Sequence, residues 1–274
     1  MSTQDAGLPA RPVIGVLHPG AMGAALGSAL KASAGAVVWA AEGRSQATSK
    51  RAELADLIGV PDVTELARRS HLVVSICPPH AALETAERVA AAVADRAPAE
   101  RPLYVEANAV APGTVRRIAG LLGEDRVVDG AVIGPPAWRA GRTVLWLAGR
   151  HAATVAGLFA GTPFEPRVLG KRLGSASALK ACYALRTKAL PTIWLQLDEA
   201  ARRAGVADEL RAELARDGVD LDEQLAGITE RAGSKAWRWA GEMDESAEAM
   251  AELGLPDGFS RAAADSYRRM SGPR

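Results

Sequence analysis

The stretch Pro12-Val13-Ile14-Gly15-Val16-Leu17-His18-Pro19-Gly20-Ala21-Met22-Gly23 decides how the rest of the chain is read. Residues 12–17 form a short apolar run of the kind that makes a buried strand. The run leads directly into a glycine-bearing turn, and small residues at helical spacing then continue to about Ala34. A strand that feeds a tight turn and a helix leaves free backbone N–H groups and the positive end of the helix dipole at the turn, which together receive a diphosphate. Against the pattern G-x-G-x-x-G, Gly20 and Gly23 match, and His18 replaces the first glycine. An imperfect match also fits a purely structural turn. Its context favours a dinucleotide, because the turn follows the first strand, opens a helix, and precedes a second strand over Ala36–Ala40. His18, Pro19, Gly20, Ala21 and Met22 are therefore candidate cofactor contacts.

Short apolar runs alternate with amphipathic stretches as far as about Leu169. Ser45 is placed to cap a helix reaching about Ile58. Strands are expected over 72–76, 103–106, 126–132 and 142–148, and helices over 81–94 and 112–122. This alternation predicts an α/β domain, a Rossmann-type doubly wound parallel sheet, over residues 12–170. Residues 1–11 are polar and rich in Pro and Gly, and are expected to be disordered. Beyond Gly170 the pattern becomes helical. One long connecting helix is expected from Ser175 to about Ala204, with a kink at Pro191. Further helices are expected over 207–216, 221–232, 235–253 and 260–270, so residues 171–274 read as an all-α domain.

Composition excludes several classes. The 274 residues carry a net charge of +1, which provides no field to attract nucleic acid or an anionic membrane. Two cysteines rule out a disulfide scaffold, and the four histidines lack metal-ligand spacing, so no metal is expected. No apolar run approaches the ~20 residues of a membrane span, and the opening residues lack the apolar stretch of a signal peptide. A cytoplasmic location is expected.

The end of the second strand selects the cofactor. A carboxylate there binds the ribose hydroxyls of NAD, whereas Arg with Ser or Thr suits the 2′-phosphate of NADP. Glu42 is the first kind of residue, and Arg44 with Ser45 the second; Gly43 lets the backbone turn Arg44 towards the adenosine end. NADP, as NADPH, is preferred, although Arg44 also reads as an ordinary solvated loop cation. Cys77 and Pro78 end the third expected strand, where the backbone should face the cofactor. Cys77 itself reads as a small buried residue. Asn108 ends the next strand, where its amide suits nicotinamide, ribose or a substrate oxygen, or else an Asx turn before Pro112.

The second motif opens the long helix: Gly174-Ser175-Ala176-Ser177-Ala178-Leu179-Lys180-Ala181-Cys182-Tyr183. Lys180 lies among small and apolar residues. Desolvation lowers a lysine's pKa and suits it to proton exchange at a carbonyl oxygen. The alternative is a lysine that extends to solvent. Tyr183 follows one turn later on the same face.

Together these residues resemble the β-hydroxyacid dehydrogenase superfamily, which includes 3-hydroxyisobutyrate dehydrogenases, the dinucleotide-binding part of 6-phosphogluconate dehydrogenase, and imine reductases. Ile14-Gly15 … Gly20-Ala21-Met22-Gly23 is similar to I-G-F-I-G-L-G-x-M-G. Glu106 to Pro112 looks like D-x-S-T-x-x-P, with Asn108 at the serine. Asp129 to Pro135, followed by Gly141-Arg142-Thr143, looks like the substrate motif D-A-P-V-S-G-G … G-T, with Pro135 in place of the second glycine. Gly174 to Lys180 has the spacing of G-x-G-x-x-x-K, whose lysine the resemblance makes the general acid/base. Tyr183 and Ala184 replace the family's two asparagines.

The resemblance implies an NADPH-dependent oxidoreductase acting on a carbonyl or hydroxyl carbon of a small substrate. Its catalytic set would be Lys180, Asn108 and Tyr183. It further implies an intertwined homodimer, in which Trp239, Glu242 and Met243 line the partner's pocket with Gly134, Pro135 and Tyr183. The aromatic stripe at Trp237 and Trp239 reads equally as core. Two other functions fit the departures from the motif: reduction of a cyclic or natural-product imine, and a non-catalytic NADPH-binding regulatory protein.

Overall fold

The computed structural model describes residues 7–272. It divides into two compact units, Met1–Lys180 and Ala181–Arg274. Residues 1–6 of the stretch expected to be disordered lie outside the described residues. The remainder is anchored: Leu8 is buried, and the Arg11 guanidinium donates to the Ala34 carbonyl at 2.6 Å.

The first unit is built on an eight-stranded sheet of order β3-β2-β1-β4-β5-β6-β7-β8. The strands are β1 (Val13–Leu17), β2 (Ala36–Ala40), β3 (Ile58–Val60), β4 (Leu72–Ser75), β5 (Leu103–Glu106), β6 (Val127–Ile133), β7 (Val144–Ala148) and β8 (Glu165–Gly170). Pairing is parallel except between β6 and β7. Side chains alternate across the sheet and feed two cores. Ile14, Val16, Val37, Trp39, Leu72, Val74 and Val105 pack on one face against α1 (Ala21–Leu30) and α6 (Ala152–Leu158). Leu17, Val38, Val73 and Tyr104 pack on the other against α3 (Val63–Arg69), α4 (Ala82–Ala92) and α5 (Pro112–Leu122). Apolar residues on both faces are what a doubly covered parallel sheet requires.

Four elements were not anticipated: β3, α3, α6 and β8. β3 has three residues, and β8 is largely exposed along its length. Ile58, expected as the end of α2, instead starts β3, because α2 (Gln46–Leu54) stops earlier and the Ser45 side chain caps its start.

The second unit is helical. Helix α7 (Ser175–Ala184) crosses the unit boundary and is followed by a wide π-type turn over Leu185–Ala189, then α8 (Thr192–Ala204), α9 (Ala207–Arg216), α10 (Leu221–Ala232), α11 (Ala236–Glu252) and α12 (Gly258–Ser271). The expected kink at Pro191 is a full break. Pro191 has no N–H to donate and its ring crowds the preceding turn, so the turn widens and Leu190 N–H bonds to Leu185 O at 2.8 Å. The core of this unit is made largely of alanines, with Met243 and Tyr267, which lets the helices approach closely.

Gly23 marks the tightest point of the first βα unit, because a β-carbon there would collide with the His18 carbonyl oxygen. Gly23→Ala should therefore lower unfolding free energy by about 1–3 kcal/mol, as over-packing does. A urea denaturation midpoint equal to that of the wild type would contradict this close approach.

Candidate functional site

The turn after β1 is open where a ligand would need it. Gly20 is the N-cap of α1, and no side chain caps this helix. A β-carbon at Gly20 would meet nothing within 4 Å. The first turn of α1 thus has no side-chain cap at the positive end of a ten-residue helix. His18, in place of the first glycine, holds the left-handed conformation that glycine would take, with φ 63°. Its carbonyl accepts the Gly20 N–H at 2.7 Å. Its Nδ1 is buried and meets no hydrogen-bond partner among the described residues. Burial, then the charges of Arg44 and Arg88, push the imidazole down to about 4.

Those two arginines form a cationic pair beside the turn. Arg44 comes from the loop after β2, and its Nε is also buried and without a partner among the described residues. Burial and the neighbouring Arg88 hold its pKa below the ordinary arginine value. Arg88, on α4, escaped the sequence reading, since no motif links a mid-helix arginine to the end of β2. Glu42 pairs with Arg88 at 3.3 Å. The Ser45 hydroxyl is occupied at the α2 cap, where it accepts the Thr48 N–H.

Behind the turn, the ends of β4 and β5 are tied together. Asn108 is almost fully buried; its Oδ1 accepts the Cys77 N–H and its Nδ2 donates to Ser75 Oγ at 3.0 Å. The Asn108 amide thus joins the two strand ends through its oxygen and one N–H, and the Cys77 N–H, expected to face the cofactor, is committed to Asn108. Burial and then Glu106 push the Cys77 thiol up to about 12, so it is no nucleophile. Pro78 leads into a one-turn helix over Pro79–Ala81.

Lys180 lies in the second turn of α7, partly buried. The first turn is fixed by Asp129 on β6. Its carboxylate accepts the Ala176 N–H at 2.7 Å, the Ser177 N–H at 3.2 Å and the Ser177 hydroxyl at 2.6 Å. Gly174 makes the entry to α7, with φ 88°, and a β-carbon there would lie 2.9 Å from Pro112. Lys180 acts electrostatically on the buried Glu106 carboxyl at the end of β5. Glu106, Asp129 and Lys180 all belong to the first unit.

The other expected contacts fall elsewhere. Gly134 and Pro135 lie on an exposed loop, where the Thr143 hydroxyl donates to the Pro135 carbonyl at 2.7 Å. Tyr183 is exposed and belongs to the helical unit. In that unit Met243 is fully buried, which makes it a core residue and not a pocket wall. Trp239 packs edge-on against Tyr267, with ring centroids 5.4 Å apart. Glu242 is held by Lys188 and, at 3.3 Å, by Arg238. Among the described residues, no group of three or more His, Cys, Asp or Glu side chains could hold a metal ion, and no helix is long and apolar enough to cross a membrane.

His18 gives the fold a pH dependence of known sign. The folded imidazole charges near 4 rather than 6.5, so across that window the unfolded chain takes up a proton that the folded chain does not. The stability at stake is intact above the upper value and is lost as pH falls towards the lower one. Asparagine tolerates the left-handed backbone and does not titrate. In urea unfolding across that window, the wild type should lose stability more steeply than His18→Asn; parallel slopes would contradict the assignment.

Residues 201–270 match the domain of unknown function DUF1932. An uncharacterized 28.5 kDa protein of Methanothermus fervidus, named for its location in a 7S RNA 5′ region, is 32% identical over 171 residues, which is 62% of this chain and 63% of that protein. The match thus spans less than two thirds of that relative. Mycobacterium tuberculosis 3-hydroxyisobutyrate dehydrogenase, solved with L-serine, superposes with a TM-score of 0.64 at 17% identity, covering 95% of this chain and 94% of its own. The reductive aminase of Aspergillus terreus, solved with NADPH and ethyl levulinate, superposes with a TM-score of 0.55 at 19% identity, covering 94% of this chain and 93% of its own. An eight-stranded, mostly parallel sheet followed by a helical unit therefore gives this chain the fold shared by the 3-hydroxyisobutyrate dehydrogenases, the reductive aminase and the imine reductases.

Proposed function

We propose that this chain is an NADPH-dependent oxidoreductase that acts on a carbonyl or hydroxyl carbon of a small substrate, with Lys180 exchanging the proton at oxygen. The observation that carries this reading is found within one unit: an open, uncapped glycine turn flanked by two arginines, and a lysine helix anchored to the same sheet. The fold neighbours include proteins named as dehydrogenases, a reductive aminase and an imine reductase, which supports the reaction class.

The residues present fit a phosphorylated dinucleotide. Two buried nitrogens, His18 Nδ1 and Arg44 Nε, lack partners among the described residues, and the space beside Gly20 is clear. The N–H groups at the start of α1 would hold the diphosphate. Arg44 and Arg88 would hold the 2′-phosphate, and the pairing of Glu42 with Arg88 favours NADPH over NADH because that carboxylate is already engaged. NADPH, when bound, supplies a hydride at the nicotinamide ring. Lys180 gives a proton to the substrate oxygen in reduction and takes one in oxidation. Asp129 fixes the first turn of α7, one turn before Lys180, and so ties the lysine's helix to β6.

A second reading is reduction of an imine. Tyr183 and Ala184 replace the asparagine pair of the hydroxyacid enzymes, and Tyr183 is exposed. In that case Tyr183 supplies the proton. The helical unit also supports a homodimer, because Leu190 and Ile193 present apolar side chains at its surface. The two cysteines, both free, suit a reducing compartment.

Three experiments test these assignments. Lys180→Ala should lower turnover by about 10²–10⁴-fold, the usual contribution of general acid–base catalysis, while still binding NADPH. Wild-type turnover in that variant would remove Lys180 from the reaction. A panel of hydroxyacids and cyclic imines, followed by NADPH absorbance, separates the two substrate classes. For the cofactor, Arg44→Ala and Arg88→Ala should each weaken NADPH binding by roughly tenfold or more, as loss of a charge-assisted contact does, with little effect on NADH. Equal losses for both nucleotides in a calorimetric titration would contradict the phosphate clamp.

A further inference from the structure

Glu106 is a fully buried carboxyl at the carboxyl end of β5. Its partner in the parallel register is Asp129 on β6, which is also fully buried. Register partners on neighbouring strands point to the same face, so two acids lie side by side in the interior. Their surroundings differ sharply. Asp129 receives two backbone N–H groups and a hydroxyl from the first turn of α7. Glu106 Oε1 accepts one N–H, from Asn108 at 2.9 Å, and Oε2 meets no partner among the described residues. The Asn108 side chain is shared: its Oδ1 accepts the Cys77 N–H and one Nδ2 N–H goes to Ser75, so it leaves Glu106 far fewer donors than Asp129 has.

Two adjacent buried acids do not both ionise readily, and the better-solvated one takes the charge. Burial raises both acids, but the donors from α7 oppose it at Asp129, so of the two Glu106 is the one more disposed to hold a proton. The charged and titratable groups that face Glu106 are Asp129 from β6, Cys77 beyond β4, Tyr104 on its own strand, and Lys180 from α7. Burial, opposed by the Asn108 hydrogen bonds and Lys180 and reinforced by Asp129, pushes Glu106 up to about 8. Lys180 is the cation in this set, and it lies one helical turn beyond Ser177, which Asp129 holds.

We propose that Glu106 is a positioning residue for the proton of Lys180, the two titrating as one coupled pair in which the carboxyl sets the pH at which the ammonium lets go. The inference takes from the functional reading only the role of Lys180 as proton carrier. While Glu106 keeps its proton it is neutral and adds nothing to the hold on the Lys180 proton. Once Glu106 ionises, its charge holds the ammonium in place. The interaction is reciprocal, as coupled titrations require.

Trace acetylation of Lys180, followed by peptide mass spectrometry across pH, reads the midpoint of this one lysine without any substrate. In Glu106→Gln, whose amide oxygen still accepts the Asn108 N–H, the Lys180 midpoint should fall by about one unit or more, the shift that loss of a nearby opposite charge produces. Glu106→Asp keeps a carboxyl and should restore a midpoint close to that of the wild type, which a merely structural role would not do. A second arm uses Lys180→Met and carbon-detected NMR of labelled glutamate carboxyls, in which the Glu106 midpoint should rise once the cation is gone. An unchanged Lys180 midpoint in folded Glu106→Gln, or an unchanged Glu106 midpoint in Lys180→Met, overturns the pairing. Should Lys180→Ala retain full turnover, the functional reading fails on its own, and these titrations still decide whether the pair exists.

Discussion

A single buried carboxylate, Asp129, joins the sheet to the helix that carries Lys180. Burying an ionised carboxylate costs several kcal/mol unless donors surround it. Here the donors are the first-turn N–H groups of α7 and the Ser177 hydroxyl, at the positive end of that helix. Each charge-assisted bond contributes about 1.5–3 kcal/mol, and the three work against a desolvation that still raises the Asp129 pKa. Gly174 completes it. Its left-handed backbone turns the chain into α7 hard against Pro112, where a β-carbon would be crowded. The start of the lysine's helix is thus fixed by a strand, a glycine and a proline that are distant in sequence.

Much of this was legible in the sequence because it rests on local rules. The strand–turn–helix at Gly20 and Gly23, the strands at Ala36–Ala40 and Leu103–Glu106, and helix Pro112–Leu122 all follow from apolar runs broken by Gly or Pro. β3 and β8 were not legible, since three residues and a mostly exposed edge carry almost no periodicity. The long connecting helix was read as continuous because Pro191 predicts only a local kink. The widened turn begins at Leu185, where the chain must accommodate that proline from several residues upstream. Asn108 was recognised by its place at a strand end, but its partners Ser75 and Cys77 come from β4 and just beyond, and no spacing rule reveals that tie.

The dinucleotide turn shows the same division. Gly20 and Gly23 announce the turn, and Arg44 announces a phosphate. Arg88 reaches the same place from α4 and brings with it the Glu42 pairing that changes the meaning of that carboxylate. In isolation Glu42 reads as a ribose ligand. Next to two guanidiniums it reads as their counter-ion. His18 feels both cations and stays neutral, so the turn keeps an uncharged imidazole where a glycine would give only backbone.

These acids follow one rule. Sequence reasoning assigns a carboxylate either to solvent or to a ligand, whereas a folded chain pairs it first. Glu42 is paired with Arg88, Glu242 with Lys188 and Arg238, and Asp129 with the head of α7. Glu242, expected to meet a substrate, is a half-buried counter-ion of Lys188, which lies in the widened turn. Glu106 departs from the rule, with one oxygen satisfied and the other not. An unsatisfied buried acid costs stability, and a proton relieves that cost by neutralising it. Placed within electrostatic reach of Lys180, the acid whose fold leaves it incompletely paired is also the one able to change charge in step with the lysine.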